Sequence, residues 1–261
     1  STSHVAYPTG TVTNNAALAQ ALSAEGINPS SNNTRVSNNT LSKSIDHNGG
    51  ASITLDRKFG AYTLTSISAY RRWQNTQDQD YDQLSQPYPS LPQLADHGWL
   101  DFWQASQEVR IASPKGHFFD YVGGLYYLHT SDSETYDRSL QPYGGTSTSG
   151  HANFGTTGNN YAVFAEGNLN FTKNFRAILG LRLLRDDLDY RFNRTSTSAA
   201  AVTGIRPDYS SNGSTSHNGY VDRIGLQYDI SHDIHTYFTY SHGYKGPAYN
   251  VFFNMQNTDA K

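Results

Sequence analysis

The sequence predicts an all-β fold: an antiparallel, up-and-down segment of a transmembrane β-barrel, about eight strands in four hairpins with short turns and long loops. Three observations carry this. Apolar and polar residues alternate with a period of two in stretch after stretch. Within each pair of such stretches the connection is a tight turn, as at Arg57-Lys58-Phe59-Gly60, Pro114-Lys115-Gly116, Thr172-Lys173-Asn174 and Ser231-His232-Asp233. Between pairs the connections are polar and run from 77 to 100, 131 to 159 and 193 to 218. Strict alternation of short and long connections trims one end of an up-and-down sheet and loads the other, the asymmetry of outer-membrane barrels. Soluble sandwiches turn every 8–12 residues or so instead.

The elements follow in order. Residues 1–44 are rich in Ser, Asn and Thr and read as a polar extracellular loop segment, with 16–24 able to form a turn or two of helix. Strands are expected over 47–56, with Ala51, Ile53 and Leu55 on one face, and over 61–76, where both faces carry aromatic or aliphatic residues. The third, 101–112, sets Trp103, Ala105, Val109 and Ile111 against Gln104, Ser106, Glu108 and Arg110. The fourth covers 119–130. In the fifth, 160–171, Tyr161, Val163, Ala165 and Leu169 oppose Glu166, Asn168 and Asn170. The sixth, 175–192, sets Leu179, Leu181 and Leu183 against Arg176, Gly180 and Arg182. In the seventh, 219–230, Ile224, Leu226 and Tyr228 oppose Arg223, Gln227 and Asp229, and the eighth covers 234–245. The barrel region is thus 45–254, with 255–261 as a truncated loop.

Composition bounds the function. The 261 residues are 36% hydrophobic and 13% aromatic, with 19 Tyr and a net charge of −3, a balance that argues against a nucleic-acid binder. With no cysteine there is no disulfide framework, thiolate metal site or cysteine nucleophile. No run approaches the roughly 20 apolar residues of a membrane helix, which bears on helices alone. The chain begins at Ser1 without a leader and reads as a mature form or a fragment.

Several segments carry a family resemblance. LTSISAYRRW (64–73) is followed by the acidic DQDYD; then come SQEVRIASPK (106–115), FDYVGGLYYL (119–128), YAVFAEGNLNFT (161–172), LGLRLLRDD (179–187) and YFTYSHGYKGPAYN (237–250). In this order and spacing they resemble successive barrel hairpins of TonB-dependent receptors over residues 43–254. Pro247 and Ala248 stand where that family has small, Gly-rich residues. The resemblance implies a large barrel with an N-terminal plug in its lumen. It implies uptake of a scarce nutrient such as a ferric siderophore, vitamin, haem or oligosaccharide, driven by TonB, and outer-membrane lipid as surroundings. No segment matches the plug or the TonB-contacting box, so the chain reads as part of a barrel, contacting TonB only through the missing plug region.

Charges on strand faces opposite apolar rows cost about 2–4 kcal/mol each in lipid when Arg or Lys sits at mid-depth. Glu108, Arg110, Glu166, Arg182, Asp186 and Arg223 are therefore expected to face a wet or plugged lumen. Tyr88, His97 and Trp99 fall in the first long loop and are the candidate ligand contacts, since aromatics there can stack on a sugar or an aromatic siderophore. Trp73 and Trp103 fit an aromatic belt at the membrane surface. The loop 139–158, rich in Gly, Ser and Thr, is expected to be mobile. Asp78, Asp80 and Asp82 have calcium-loop spacing, but Gln83 and Pro89 occupy the positions that want Gly and Glu. His232, Asp233 and His235 share a tight turn without a fourth zinc ligand. Asp186, Asp187 and Asp189 have no opposing carboxylate that sequence can place for glycoside hydrolysis. No metal, cofactor or catalytic residue is expected, and the chain is not read as an enzyme. Two other classes stay open: a soluble all-β carbohydrate-binding or adhesin-like module, and a small complete outer-membrane barrel.

Overall fold

The structure, a computed structural model, describes residues 15–28, 30, 32–257 and 259. A short helix α1 (Ala16–Ala24) precedes the strands, with the Asn15 side chain capping it by accepting from the Leu18 amide at 3.1 Å. Eight strands follow: β1 (Lys43–Phe59), β2 (Tyr62–Asp80), β3 (Gln93–Ala112), β4 (Phe119–Gln141), β5 (Thr148–Asn170), β6 (Phe175–Ser196), β7 (Tyr209–Asp229) and β8 (His235–His242). They form one antiparallel sheet in chain order, each strand paired with the next.

The registers turn the sequence alternation into two faces. Leu55, Ser66, Val109, Leu125, Val163, Leu183 and Tyr220 are successive cross-strand partners from β1 to β7. One residue along, Asp56, Thr65, Arg110, Gly124, Phe164, Arg182 and Val221 form the neighbouring row. Since side chains alternate with period two, the first row lies on one face and the second on the other. The first, aliphatic face also carries Leu179, Leu181, Ile224 and Phe238, between 46% and 69% exposed. No second layer covers them among the described residues.

The strands run longer than their alternation predicts. β4 and β5 reach 23 residues each, about twice what a tilted strand needs to cross a bilayer. Most of the three expected long loops is strand; 81–92, 142–147 and 197–208 remain as connections. The cause is that above Tyr127 and Tyr161 the aliphatic face becomes polar. His129, Ser131, Ser133 and Thr135 continue the Tyr127 row; the ladder to β3 goes on unbroken, and that to β5 keeps its register across a gap at Asp132 and Ser133. Hydrogen-bonded pairing in water needs no apolar partner row, so the period-two signal fades before the strand does. The segment 139–158, expected to be a mobile loop, is for the most part the ends of β4 and β5 around the turn 142–147. The expected eighth strand ends early: β8 stops at His242, and Gly243 starts a segment that leaves the sheet.

The clusters of buried side chains lie at this upper end. Ala152, Phe154, Tyr190 and Phe192 on β5 and β6 form a core with Phe253 and Met255 from beyond β8. Met255, assigned by sequence to a truncated loop, is fully buried there. A second cluster joins Ala21, Leu22 and Ile27 at α1 to Leu84 in the β2–β3 loop.

Candidate functional site

All six charges predicted to face a lumen fall on the face opposite the aliphatic rows. Glu108 pairs with Tyr126, and Arg110 with Gly124. Asp186 pairs with Asn160, and Arg223 with Gly180, itself the partner of Glu166. Arg110 donates to Glu108 Oε1 at 3.2 Å. The Arg223 guanidinium lies 3.6 Å from Glu166 Oε2 across Gly180, which leaves room for the contact. Arg182 does not meet Asp186 directly. Its Nη2 reaches Asn160 Oδ1 at 3.4 Å, and Asn160 Nδ2 donates to Asp186 Oδ1 at 2.6 Å. The Arg182 guanidinium also sits 4.8 Å from the centre of the Tyr126 ring, a cation–π placement.

Towards the polar end this face holds groups that sequence reading missed, because they lie where loops were expected. Arg138 binds Asp96 through Nε at 2.7 Å and Nη2 at 2.6 Å, both side chains buried. The Tyr136 hydroxyl donates to the same carboxylate at 2.5 Å, and burial, then Asp96, push its pKa up to about 12. Arg138 further donates to the Gly204 carbonyl and lies 4.5 Å from the Tyr81 ring centre. Arg194, 3% exposed, donates to the carbonyls of Pro207, Phe253 and Met255, and burial lowers its pKa. Asp132 and Glu134 share the face above the aliphatic band. Burial, then the Asp132 carboxylate, raise the Glu134 pKa to about 7. The legible signal for the four on β4 was charge or aromatic residues at every second position, 132 to 138, within a segment too polar on its other side to read as a strand.

The three candidate ligand contacts are not brought together. Tyr88 lies in the β2–β3 loop, packs on the α1 cluster and donates its hydroxyl to Glu25 Oε1 at 3.1 Å. His97 and Trp99 belong to β3, not to a loop, and by register continue the aliphatic face. His97 joins a row of direct cross-strand partners, Lys43, Asp78, His97, Asp137 and His151, on five adjacent strands. Within it Asp78 accepts from Lys43 at 3.0 Å and meets His97 Nδ1 at 2.6 Å, while His151 Nδ1 meets Asp137 at 2.6 Å. The two belt tryptophans also separate. Trp103 stands on the aliphatic face with its ring 6.1 Å from Tyr70 and 4.8 Å from His129. Trp73 is turned to the charged face, where its Nε1 donates to Asp46 at 2.8 Å, because β2 alternates out of step with the belt pattern.

The acidic run does not converge on an ion. Asp80 accepts the amides of Asn39, Thr40 and Gln83, and Asp82 those of Leu84 and Leu94. His232 meets Asp233 while His235 meets Asp229, two separate exposed pairs. Among the described residues no three His, Asp or Glu are placed to hold a metal.

The continuous antiparallel meander, with one aliphatic and one charged face, defines a transmembrane β-barrel wall. The family description "TonB dependent receptor-like, beta-barrel" matches residues 2–260, and the chain belongs to that family. Among solved structures it is similar to the ferric yersiniabactin uptake receptor FyuA of Yersinia pestis, at 17% identity and a TM-score of 0.66, over 84% of this chain and 31% of that one. That likeness concerns the fold. A second match is the ferric-catecholate import receptor Fiu of E. coli K12, at 8% identity over 82% of this chain and 57% of that one; its TM-score of 0.27 is too low to bear on the fold. The chain spans about a third of the FyuA chain. No curated protein matches it in sequence.

Proposed function

We propose that this chain is part of the wall of an outer-membrane receptor of a Gram-negative bacterium that binds and imports a scarce nutrient. The ligand class favoured is a ferric siderophore, the cargo named for FyuA; a vitamin, haem or an oligosaccharide are the other classes. The observation that carries the reading is the segregation of faces. Glu108, Arg110, Glu166, Arg182, Asp186 and Arg223 share one face, and exposed aliphatic side chains fill the other across β1–β8. An isolated soluble sheet would leave those aliphatics in water, whereas hydrocarbon accepts them at no cost. On this reading the charged face lines the lumen, residues up to 44 lie outside the cell, and TonB acts through a plug that other residues of the gene product supply. Of the three candidate ligand contacts, Tyr88 alone keeps a loop position, beneath α1.

The test is uptake. Deleting the gene should abolish energy-dependent accumulation of labelled iron from one ferric siderophore, and expressing its complete product should restore it. Unchanged accumulation across siderophores, haem, vitamin B12 and oligosaccharides would overturn the receptor assignment. A product that stays in the aqueous fraction without detergent would favour the soluble module instead.

A further inference from the structure

The register sets a cation at the upper brink of the aliphatic face. Gln107, Tyr127, Tyr161, Arg185 and Asn218 are successive cross-strand partners from β3 to β7. They stand one outward position above Val109, Leu125, Val163 and Leu183, all four exposed. Here the outer wall is hollowed into a groove of about 830 Å³, lined by those four aliphatic side chains, by Tyr127 and Tyr161, and at its polar rim by Arg185 and Asn218. The two tyrosine rings pack at 5.1 Å between centres, and the Tyr127 hydroxyl donates to Asn159 Oδ1 at 2.8 Å, which fixes that side of the groove.

Arg185 is held from one side only. Its Nε donates to Asp187 Oδ1 at 2.9 Å, and Asp187 in turn accepts from Ser216 Oγ at 2.6 Å. The two terminal nitrogens have no partner among the described residues, and the side chain is 53% exposed. A guanidinium fork left open where apolar surface meets polar surface matches the paired oxygens of a phosphate. Above the rim the same face turns to neutral hydroxyls and amides. On β7 the outward positions are Asn218, Ser216, Ser214, Asn212 and Ser210, every one exposed. Asn159 and Thr157 on β5, with Ser131 and Ser133 on β4, belong to the same outward rows.

We propose that the outer wall of β3–β7 is a berth for a phosphorylated glycolipid of the outer leaflet. Its acyl chains lie in the groove, a phosphate sits on the open fork of Arg185, and its sugars rest against the Ser and Asn rows. The berth rests on the proposed reading in which the aliphatic face meets lipid and the long connections point out of the cell. Two features select this lipid over a phospholipid. From β3 to β7 the groove spans four strand spacings, roughly 19 Å, room for several acyl chains side by side. The hydroxyl and amide rows continue well above the phosphate position, where a phospholipid headgroup has already ended and sugar hydroxyls need donors and acceptors.

The test is lipid binding by the complete gene product, purified in detergent, stripped of native lipid and titrated with defined probes. Bis-phosphorylated hexa-acyl lipid A should bind about tenfold more tightly than lipid A without its phosphates, and than phosphatidylglycerol. Arg185→Gln should weaken binding of the phosphorylated probe by about tenfold and leave the phosphate-free one unchanged. Arg185→Lys, which keeps the charge without the fork, should restore part of the loss. Val163→Trp, which fills the groove, should weaken both forms of lipid A. Arg57→Gln removes a cation from the same face at the short-turn end and should change nothing. Unchanged binding in Arg185→Gln overturns the berth, and so does a preference for phosphatidylglycerol. Heat-dependent gel migration checks that each variant still forms its barrel. A barrel that migrates normally without any preference among the probes sinks the berth and leaves the receptor reading standing. A product that stays in the aqueous fraction without detergent sinks that reading and the berth with it.

Discussion

Arg138 is the side chain whose loss should be felt most. It is the partner of a buried Asp96 carboxylate and a donor to the Gly204 carbonyl. Arg138→Ala leaves that carboxylate uncompensated, and removing one member of a buried pair costs about 3–5 kcal/mol. Urea unfolding in lipid vesicles should report a loss of that size, and a loss under about 1 kcal/mol would show that the pair is solvated. Glu134 supplies a pH effect with a fixed sign. Its folded pKa of about 7 stands above the ordinary value of 4.5. The folded state therefore holds more protons between those values, and stability falls as pH rises through that window. The protection of amides 130–136 relative to their intrinsic exchange rate at each pH should fall from pH 4.5 to 7, and Glu134→Gln should flatten that profile. Trp99 tests the face assignment at one position. Lying on the β3 side that continues the aliphatic face, it should tolerate Trp99→Ala without change in ligand affinity, and a tenfold loss would return it to the binding surface.

At the scale of the strand, β6 offers the cleanest comparison. Leu181 and Arg182 are adjacent, yet point to opposite faces. Leu181→Arg should cost about 2–4 kcal/mol in vesicle unfolding if its side faces hydrocarbon at mid-depth; near-zero cost would mean that this side is wet. β6 also shows what was legible beforehand. Leu179, Leu181 and Leu183 announced the strand and its lipid side, and the turns at Gly60 and Gly116, both with positive φ, announced the hairpins. On β6 the reading ran on to residue 192, past the change from the aliphatic row to Arg185, Asp187 and Asp189, where Leu184 and Leu188 still mark the other face. Legibility ended on β4 beyond residue 130 and on β3 before residue 101, where pairing with the neighbouring strands fixes the conformation. Trp99 and Arg138 were misplaced or missed for this reason. Non-local hydrogen bonds, not the composition of their own segments, make those segments strands. Trp73 failed differently: it belongs to the one strand whose alternation was ambiguous, and a belt tryptophan and an inward one look alike in sequence.

For the molecule as a whole, the open sheet matters. β1 and β8 are edges with unpaired backbone groups, and a wall of this kind is stable when further strands close it. The registers also fix its stature. From Tyr127, where the aliphatic row ends, β4 climbs fourteen more residues to Gln141, which at the usual rise and tilt is roughly 35 Å. On the proposed reading the wall stands as a chimney above the bilayer, with the hairpin tip at 142–147 at its outer end. A peptide epitope inserted after Gly144, where φ is already positive and a Cβ would find open space, should leave folding intact and be stained on living cells. A tag visible only after lysis would mean that the chimney stands the other way up.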